Sequence, residues 1–141
     1  MRPVAVLETI LYATDLDAAR EFYGRVLGLA VYSEMKGRQV FFKLDQQMLL
    51  IFKPDATEIP ARAGALPVPP HGARGPGHVC FAATAAEIDA WRQQLEAHGV
   101  AIEVDFLWPA KAPELQGRSI YFRDPAGNSL EFAEPRIWGF S

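Results

Sequence analysis

Two carboxylates and an imidazole, Glu8, Glu131 and His78, form the set of side chains in this sequence best suited to hold a divalent ion. Three such ligands carrying two negative charges neutralise the ion and, in an octahedral site, leave three positions for water or a bidentate substrate. An ion held this way polarises a carbonyl or stabilises a developing enolate or alkoxide. The oxygen-rich set favours one divalent ion among Mn²⁺, Fe²⁺, Co²⁺, Ni²⁺ and Mg²⁺, and Zn²⁺ is also admissible. The plainer reading is that Glu8 pairs with an arginine such as Arg118 or Arg123 and that His78 is a hydrogen-bonded core residue. Without a cation, two carboxylates on the floor of one cup repel and drive one pKa upward.

The spacing favours the metal. The stretch 7–14 lines up with 77–84, so that Glu8 and His78 each stand six residues before a threonine, Thr14 or Thr84. Matched sites in a pseudo-symmetric fold are what a metal cup at a repeat boundary requires. Each copy reads as β-α-β-β-β. In the first, a strand over 4–13 precedes Thr14 and Asp17, spaced as a capping box. Leu16, Ala19, Tyr23 and Val26 follow at helical spacing, Gly28 stops the helix, and strands follow at about 29–36, 38–44 and 47–53. In the second, a strand over 78–83 leads to a full capping box, Thr84 with Glu87, and a helix with Ile88, Trp91 and Leu95 on its buried stripe. Strands at about 100–108, 118–124 and 128–134 complete it.

The chain therefore divides into a first module at about 4–53, a Pro- and Gly-rich linker loop at 54–77, a second module at about 77–134 and a tail at 135–141, all within one domain of 1–141. The tail carries Trp138 and Phe140 and is expected to dock on its own domain or on a partner subunit.

Strand alternation assigns faces. Glu8 shares a face with Val6, Ile10 and Tyr12, His78 with Cys80 and Ala82, and Glu131 with Ser129 and Ala133. Ser119, Tyr121 and Arg123 go together. Aligning the copies sets Leu50 against Glu131, Val40 against Ser119, Phe42 against Tyr121 and Leu44 against Arg123. The first module thus offers an apolar wall that includes Phe42, and the second a polar one, which suits a small ligand with one apolar and one chelating end.

Other residues have two readings each. Tyr121 and Ser119 bind or protonate a ligand, or are structural. His71, in Pro69-Pro70-His71-Gly72, is a lid or acid–base residue, or a solvated loop histidine. Arg118 and Arg123 bind an anionic substrate or pair with acids. Trp108 lines the pocket or a dimer contact, and Cys80 packs as a small hydrophobe.

Composition bounds the rest. Half of the 141 residues are hydrophobic, 22% are charged and the net charge is −3 with interspersed signs, which argues against a nucleic-acid partner or a basic membrane patch. A single cysteine excludes an internal disulfide and, with no targeting or membrane-spanning stretch in view, points to a cytoplasmic protein.

Thr14-Asp15-Leu16, Glu21-Phe22-Tyr23 and Val26-Leu27-Gly28-Leu29 resemble the opening of the vicinal oxygen chelate superfamily. Gly77-His78-Val79 and Tyr121-Phe122-Arg123-Asp124-Pro125-Ala126-Gly127-Asn128-Ser129-Leu130-Glu131 resemble its second module. That superfamily includes glyoxalase I, extradiol dioxygenases, methylmalonyl-CoA epimerase, fosfomycin-resistance enzymes and bleomycin-binding proteins. The resemblance implies an α+β, glyoxalase-like fold: two tandem βαβββ modules forming an open curved sheet cup around a metal, often in a homodimer. It places the family's ligand positions on Glu8, His78 and Glu131. The fourth ligand of glyoxalase I-like enzymes falls on Leu50, and Glu8 stands where dioxygenases and fosfomycin enzymes usually have His. Ser119 and Tyr121 fall on the substrate-binding Ser and Tyr of fosfomycin-resistance transferases.

The expectation is thus a divalent-metal-dependent enzyme, isomerase, lyase or transferase, acting on a small oxygen-chelating substrate. Tyr121 or His71 would serve as acid or clamp, with Ser119, Arg118, Phe42 and Trp108 at the substrate. The rival from another class is a metal-free protein that sequesters a drug or metabolite. A third reading is an extradiol-type dioxygenase.

Overall fold

The computed structural model describes residues 1–141, which form two units: Met1–Gly77 with Pro125–Gly127, and His78–Asp124 with Asn128–Ser141. No helix is long and apolar enough to cross a membrane.

In the first unit β1 (Glu8–Tyr12) leads into α1 (Leu16–Glu21), which continues through a π-helical turn, Phe22–Val26. Strands β2 (Ala30–Met35), β3 (Gln39–Lys43) and β4 (Met48–Phe52) follow, and a short helix, α2 (Pro54–Thr57), begins the Pro-rich stretch. The sheet order is β1-β4-β3-β2, with β1 parallel to β4 and the other pairs antiparallel. Helix α1 starts one residue later than the Thr14 capping box predicts. Asp15 is the N-cap, its carboxylate accepting from the Ala18 amide at 2.9 Å. Both residue types cap well, and here the bond to the N3 amide is made by Asp15. The helix covers one sheet face, where Leu11, Val40, Phe42, Leu49 and Ile51 are buried with Ala19 and Tyr23.

The second unit repeats this plan with β5 (His78–Ala82), α3 (Ala85–Ala97), β6 (Val104–Leu107), β7 (Arg118–Arg123) and β8 (Ser129–Ala133), in the order β5-β8-β7-β6. The predicted capping box is present: Thr84 Oγ1 accepts from the Glu87 amide, and the Glu87 carboxylate accepts from the Thr84 amide at 2.7 Å. Ile88 and Leu95 of α3 are fully buried, and Trp91 stacks on Phe132 of β8 at 4.5 Å. Between β7 and β8 the Asn128 amide donates to Asp124 at 2.8 Å, and Gly127 takes the positive φ of 87° that the turn needs. Each sheet is open, mixed and four-stranded, so the architecture is α+β with two βαβββ units, the glyoxalase-like fold.

The ladders fix the internal alignment of the copies. Ile10 pairs with Leu50 as Cys80 pairs with Glu131, so Leu50 and Glu131 correspond as predicted. The third strand does not follow the predicted register. Phe41, not Phe42, pairs with Leu50, whereas Tyr121 pairs with Glu131. The counterparts of Ser119, Tyr121 and Arg123 are therefore Gln39, Phe41 and Lys43. A one-residue slip turns every side chain to the other face. Phe42 accordingly packs in the helix-side core, 5.5 Å from the Tyr23 ring, and does not belong to the apolar wall.

In the tail a 3-10 turn, Pro135–Trp138, lays Ile137 over Gly117, where a Cβ would come within 2.6 Å of Ile137 Cγ2. Trp138 and Phe140 stay exposed.

Candidate functional site

His78 opens the edge strand β5 on the sheet face opposite α3. Its Nδ1 lies 3.0 Å from the carbonyl oxygen of Ser129 on β8. A carbonyl only accepts, so Nδ1 carries the hydrogen and the free lone pair of a neutral ring sits on Nε2. That nitrogen is 3.4 Å from Glu131 Oε2. With the imidazole neutral, two acceptors face one another across this gap, and a cation or a second ring proton is needed between them. The other carboxylate oxygen, Glu131 Oε1, is buried without a hydrogen-bond partner. An orphaned buried carboxylate oxygen is costly unless something positive meets it. A backbone-oriented imidazole beside a desolvated carboxylate is the donor chemistry of a divalent-metal ligand pair.

Tyr121 stands opposite Glu131 on β7, its ring 6.2 Å from that of His78 and only 19° from parallel. Burial first, and the Glu131 carboxylate second, push its phenol above the usual tyrosine range. Cys80 on the edge strand is exposed as a residue rather than packed as a small hydrophobe, but its sulfur is half-covered where it lies beside Glu131. Desolvation of the sulfur, with the Glu131 charge behind it, pushes that thiol up to about 12. Both groups hold their protons at neutral pH, Tyr121 as a hydrogen-bond donor and Cys80 as a neutral thiol.

Glu8 opens β1 in the first unit and is exposed. It pairs with Met48 as His78 pairs with Ser129, so the equivalence predicted from spacing holds in the ladders. Of the three predicted ligands, His78 and Glu131 come together. Nowhere does the chain gather three or more His, Cys, Asp or Glu side chains into a group that could hold an ion.

The remaining candidates are placed as follows. Ser119 is fully buried, and its Oγ accepts from the Trp108 indole Nε1 at 2.8 Å, so it is occupied by the protein itself. Trp108 remains 36% exposed. Arg118 points to the α3 side of the sheet. Its Nε and Nη2 grip the Asp105 carboxylate, each at 2.8 Å, while Nη1 reaches Asp89. These hydrogen bonds, those to Asp105 foremost, raise its pKa further. Arg118 is thus a structural ion pair, and Arg123 is likewise paired, with Glu103 at 2.9 Å. His71 belongs to the first unit, where its Nδ1 is 2.6 Å from the Tyr12 hydroxyl and its ring is 4.8 Å from that of Phe52. On that unit's face away from α1, Leu50 and Phe52 are buried and Phe41 meets Phe52 edge-on at 5.2 Å, which makes the predicted apolar wall without Phe42.

Phe106 is a residue on the face of His78 and Tyr121 that sequence reasoning did not single out. It shares strand parity with Trp108 and pairs with Ser119. Counting alternation back from Trp108 would have found it. A cleft of about 750 Å³ in the first unit, near Thr14, Arg20 and Lys53, and one of about 720 Å³ in the second, near Ala83, Glu87 and Phe140, include none of His78, Tyr121 and Glu131.

The profile of the Glyoxalase/Bleomycin resistance protein/Dioxygenase superfamily matches residues 5–132, and the chain belongs to that superfamily. It is similar to the lactoylglutathione lyase of Agrobacterium tumefaciens, with 44% identity over 99% of this chain and 100% of that one, at a TM-score of 0.91. It also resembles a glyoxalase/bleomycin resistance protein/dioxygenase from Nocardioides, with 25% identity over 95% of this chain and 85% of that one, at a TM-score of 0.68. An oxidase, ChaP-H2, shares the fold at 22% identity over 94% of each chain, with a TM-score of 0.60. No curated protein matches the sequence.

Proposed function

We propose that this chain is a divalent-metal-dependent enzyme of the isomerase or lyase type, acting on a small molecule that presents two neighbouring oxygens. The observation that carries this reading is the pair His78 and Glu131: a ring nitrogen lone pair 3.4 Å from a carboxylate oxygen, with the second carboxylate oxygen buried and unpartnered. Glu8, the ladder counterpart of His78, is our candidate for a third ligand, and the Glu8→Ala variant below tests it. When bound, the ion supplies Lewis-acid polarisation of a substrate oxygen and stabilises the charge that develops there. Tyr121 keeps its proton beside Glu131 and serves as hydrogen-bond donor or acid to a substrate oxygen. Leu50, 6% exposed, has no donor atom at the position of the fourth glyoxalase-type ligand, so the ion would keep more positions open to substrate and water.

The 44% identity with a lactoylglutathione lyase supports an enzyme of this type. Ser119, buried and bonded to Trp108, is not free to hold a substrate, which weighs against fosfomycin-type addition. His71 is held by the Tyr12 hydroxyl within the first unit, which weighs against a role for it as a free acid. The exposed apolar side chains of Val6, Leu7 and Ile10 around Glu8 support assembly as a homodimer.

The test is metal stoichiometry. Chelator-stripped protein is re-equilibrated with Mn²⁺, Fe²⁺, Co²⁺, Ni²⁺ or Zn²⁺ and cleared of free ion. About one tight ion per chain, lost in Glu8→Ala, is expected. No bound ion under any condition would overturn the metal reading in favour of a sequestering protein.

A further inference from the structure

On the face of the second sheet opposite α3, four rings follow one another across the strands. The His78 ring is 6.2 Å from that of Tyr121, Tyr121 is 6.2 Å from Phe106, and Phe106 is 4.8 Å from Trp108. The first two steps are close to parallel, at 19° and 14°, and the last is tilted by 55°. Register explains the row. Ser119 and Tyr121 share this face, Phe106 pairs with Ser119, and Trp108 follows Phe106 at the strand period of two.

The far end of the row is fixed. The Trp108 indole donates to Ser119 Oγ at 2.8 Å, and the acceptor is fully buried on the central strand β7. The backbone amide of Trp108 also donates to the Gly117 carbonyl at 2.9 Å. An indole held at both its ring nitrogen and its backbone loses little further freedom when a ligand stacks on it. It nevertheless keeps 36% of its surface exposed. The arginines of β7 add no charge to this surface that is not already met: Arg118 is gripped by Asp105 and Asp89 on the other face, and Arg123 by Glu103. What the face offers next to the chelating pair is flat and apolar.

We propose that Trp108 and Phe106 are the specificity platform for a planar, conjugated part of the substrate, and that Ser119 is the positioning residue that sets the indole plane. This rests on the metal-enzyme reading for the end of the ligand that carries the paired oxygens. The platform itself needs only the second sheet. The substrate class is then a conjugated or aromatic compound with two neighbouring oxygens, rather than a small aliphatic one.

The probes are benzohydroxamic acid and cyclohexanecarbohydroxamic acid, which share one chelating head and differ in whether the six-membered ring is flat. Affinities are measured by calorimetry on the full chain, with Mn²⁺ in excess and again without metal. A preference for the flat ring of about fivefold is expected, the size of one aromatic stacking contact. Trp108→Ala should reduce that preference to less than about twofold and leave Mn²⁺ affinity unchanged. Trp108→Phe, which keeps a flat ring but loses the hydrogen bond, should retain part of the preference, and Ser119→Ala should behave like Trp108→Phe. Equal affinity of the two probes in the native protein, or an unchanged preference in Trp108→Ala, would overturn the platform. Failure of the native chain to bind Mn²⁺ would defeat the metal reading alone, because the ring preference is read in the metal-free protein as well.

Discussion

Leu50 and Glu131 hold the same address in the two copies of the repeat, Leu50 opposite Ile10 and Glu131 opposite Cys80 across their parallel ladders. Both are buried, at 6% and 5% exposure. One is hydrocarbon, and the other is a carboxylate with an oxygen that nothing meets. A buried polar group left without a partner costs about 1–3 kcal/mol. The first copy shows that the backbone at this address accepts an apolar residue, so packing alone does not require the carboxylate in the second.

Replacing that carboxylate by its amide isolates the ligand role. Glu131→Gln should lower divalent-metal affinity at least about tenfold. The metal-free protein should melt at the same temperature or slightly higher, because a buried charge has gone. Metal analysis paired with thermal melting checks both halves. Native affinity in the variant would remove Glu131 from the site.

The Tyr12 hydroxyl, 2.6 Å from His71 Nδ1, ties the Pro-rich stretch to the first sheet. Tyr12→Phe should reduce stability by about 1 kcal/mol and speed proteolytic nicking between residues 58 and 77. Denaturant titration and limited proteolysis read these separately. An unaltered nicking rate would mean that the Arg74 pairs with Asp55 and Glu58, both at 2.8 Å, hold the stretch by themselves.

Phe132 anchors the core of the second unit, with Trp91 at 4.5 Å and Phe81 and Phe122 each at 5.5 Å. Phe132→Ala should cost about 3–5 kcal/mol. Urea unfolding followed by far-ultraviolet dichroism measures it, and a loss under about 1 kcal/mol would mean that the neighbouring rings collapse into the space.

Asp105 accepts from both Arg118 and Arg92, and the Arg118 hydrogen bonds foremost hold its carboxyl below the ordinary value of 3.8. A carboxyl with a depressed folded-state pKa contributes stability that is fully present above 3.8 and is lost as pH falls through the folded value. Asp105→Asn should therefore be less stable than the native chain by about 2 kcal/mol near neutrality. The gap should close as the medium is acidified below 3.8. Denaturant midpoints at pH 7 and at strongly acidic pH decide it, and a gap independent of pH would assign the effect to packing.

What could be read from the sequence was what short-range chemistry decides. Thr84 and Glu87 lie within one turn of each other, so their capping box needs no tertiary information. The βαβββ repeat and the match of Glu8 with His78 rest on spacing along single strands. The register of β3 was not legible, because Val40, Phe41 and Phe42 are apolar on both faces and alternation is silent there. For Arg118 and Ser119 the sequence left a binding and a structural role side by side, because their partners, Asp89, Asp105 and Trp108, come from other elements and are chosen by the fold. At the start of α1, two adjacent residues were each able to cap, and geometry took Asp15 over Thr14.

The stretch between β6 and β7 has no counterpart of its length in the first unit, yet it leaves the parallel ladder intact. In one copy the chain must close about 40 residues between Glu8 and Met48, and in the other roughly 50 between His78 and Ser129, a difference in closure entropy of only about 0.2 kcal/mol. The longer excursion, which carries Trp108 at its base, is thus almost free in folding terms. The length and content of that one excursion can therefore change, and the platform proposed at its base with them, while strand pairing and the folding of the unit stay as they are.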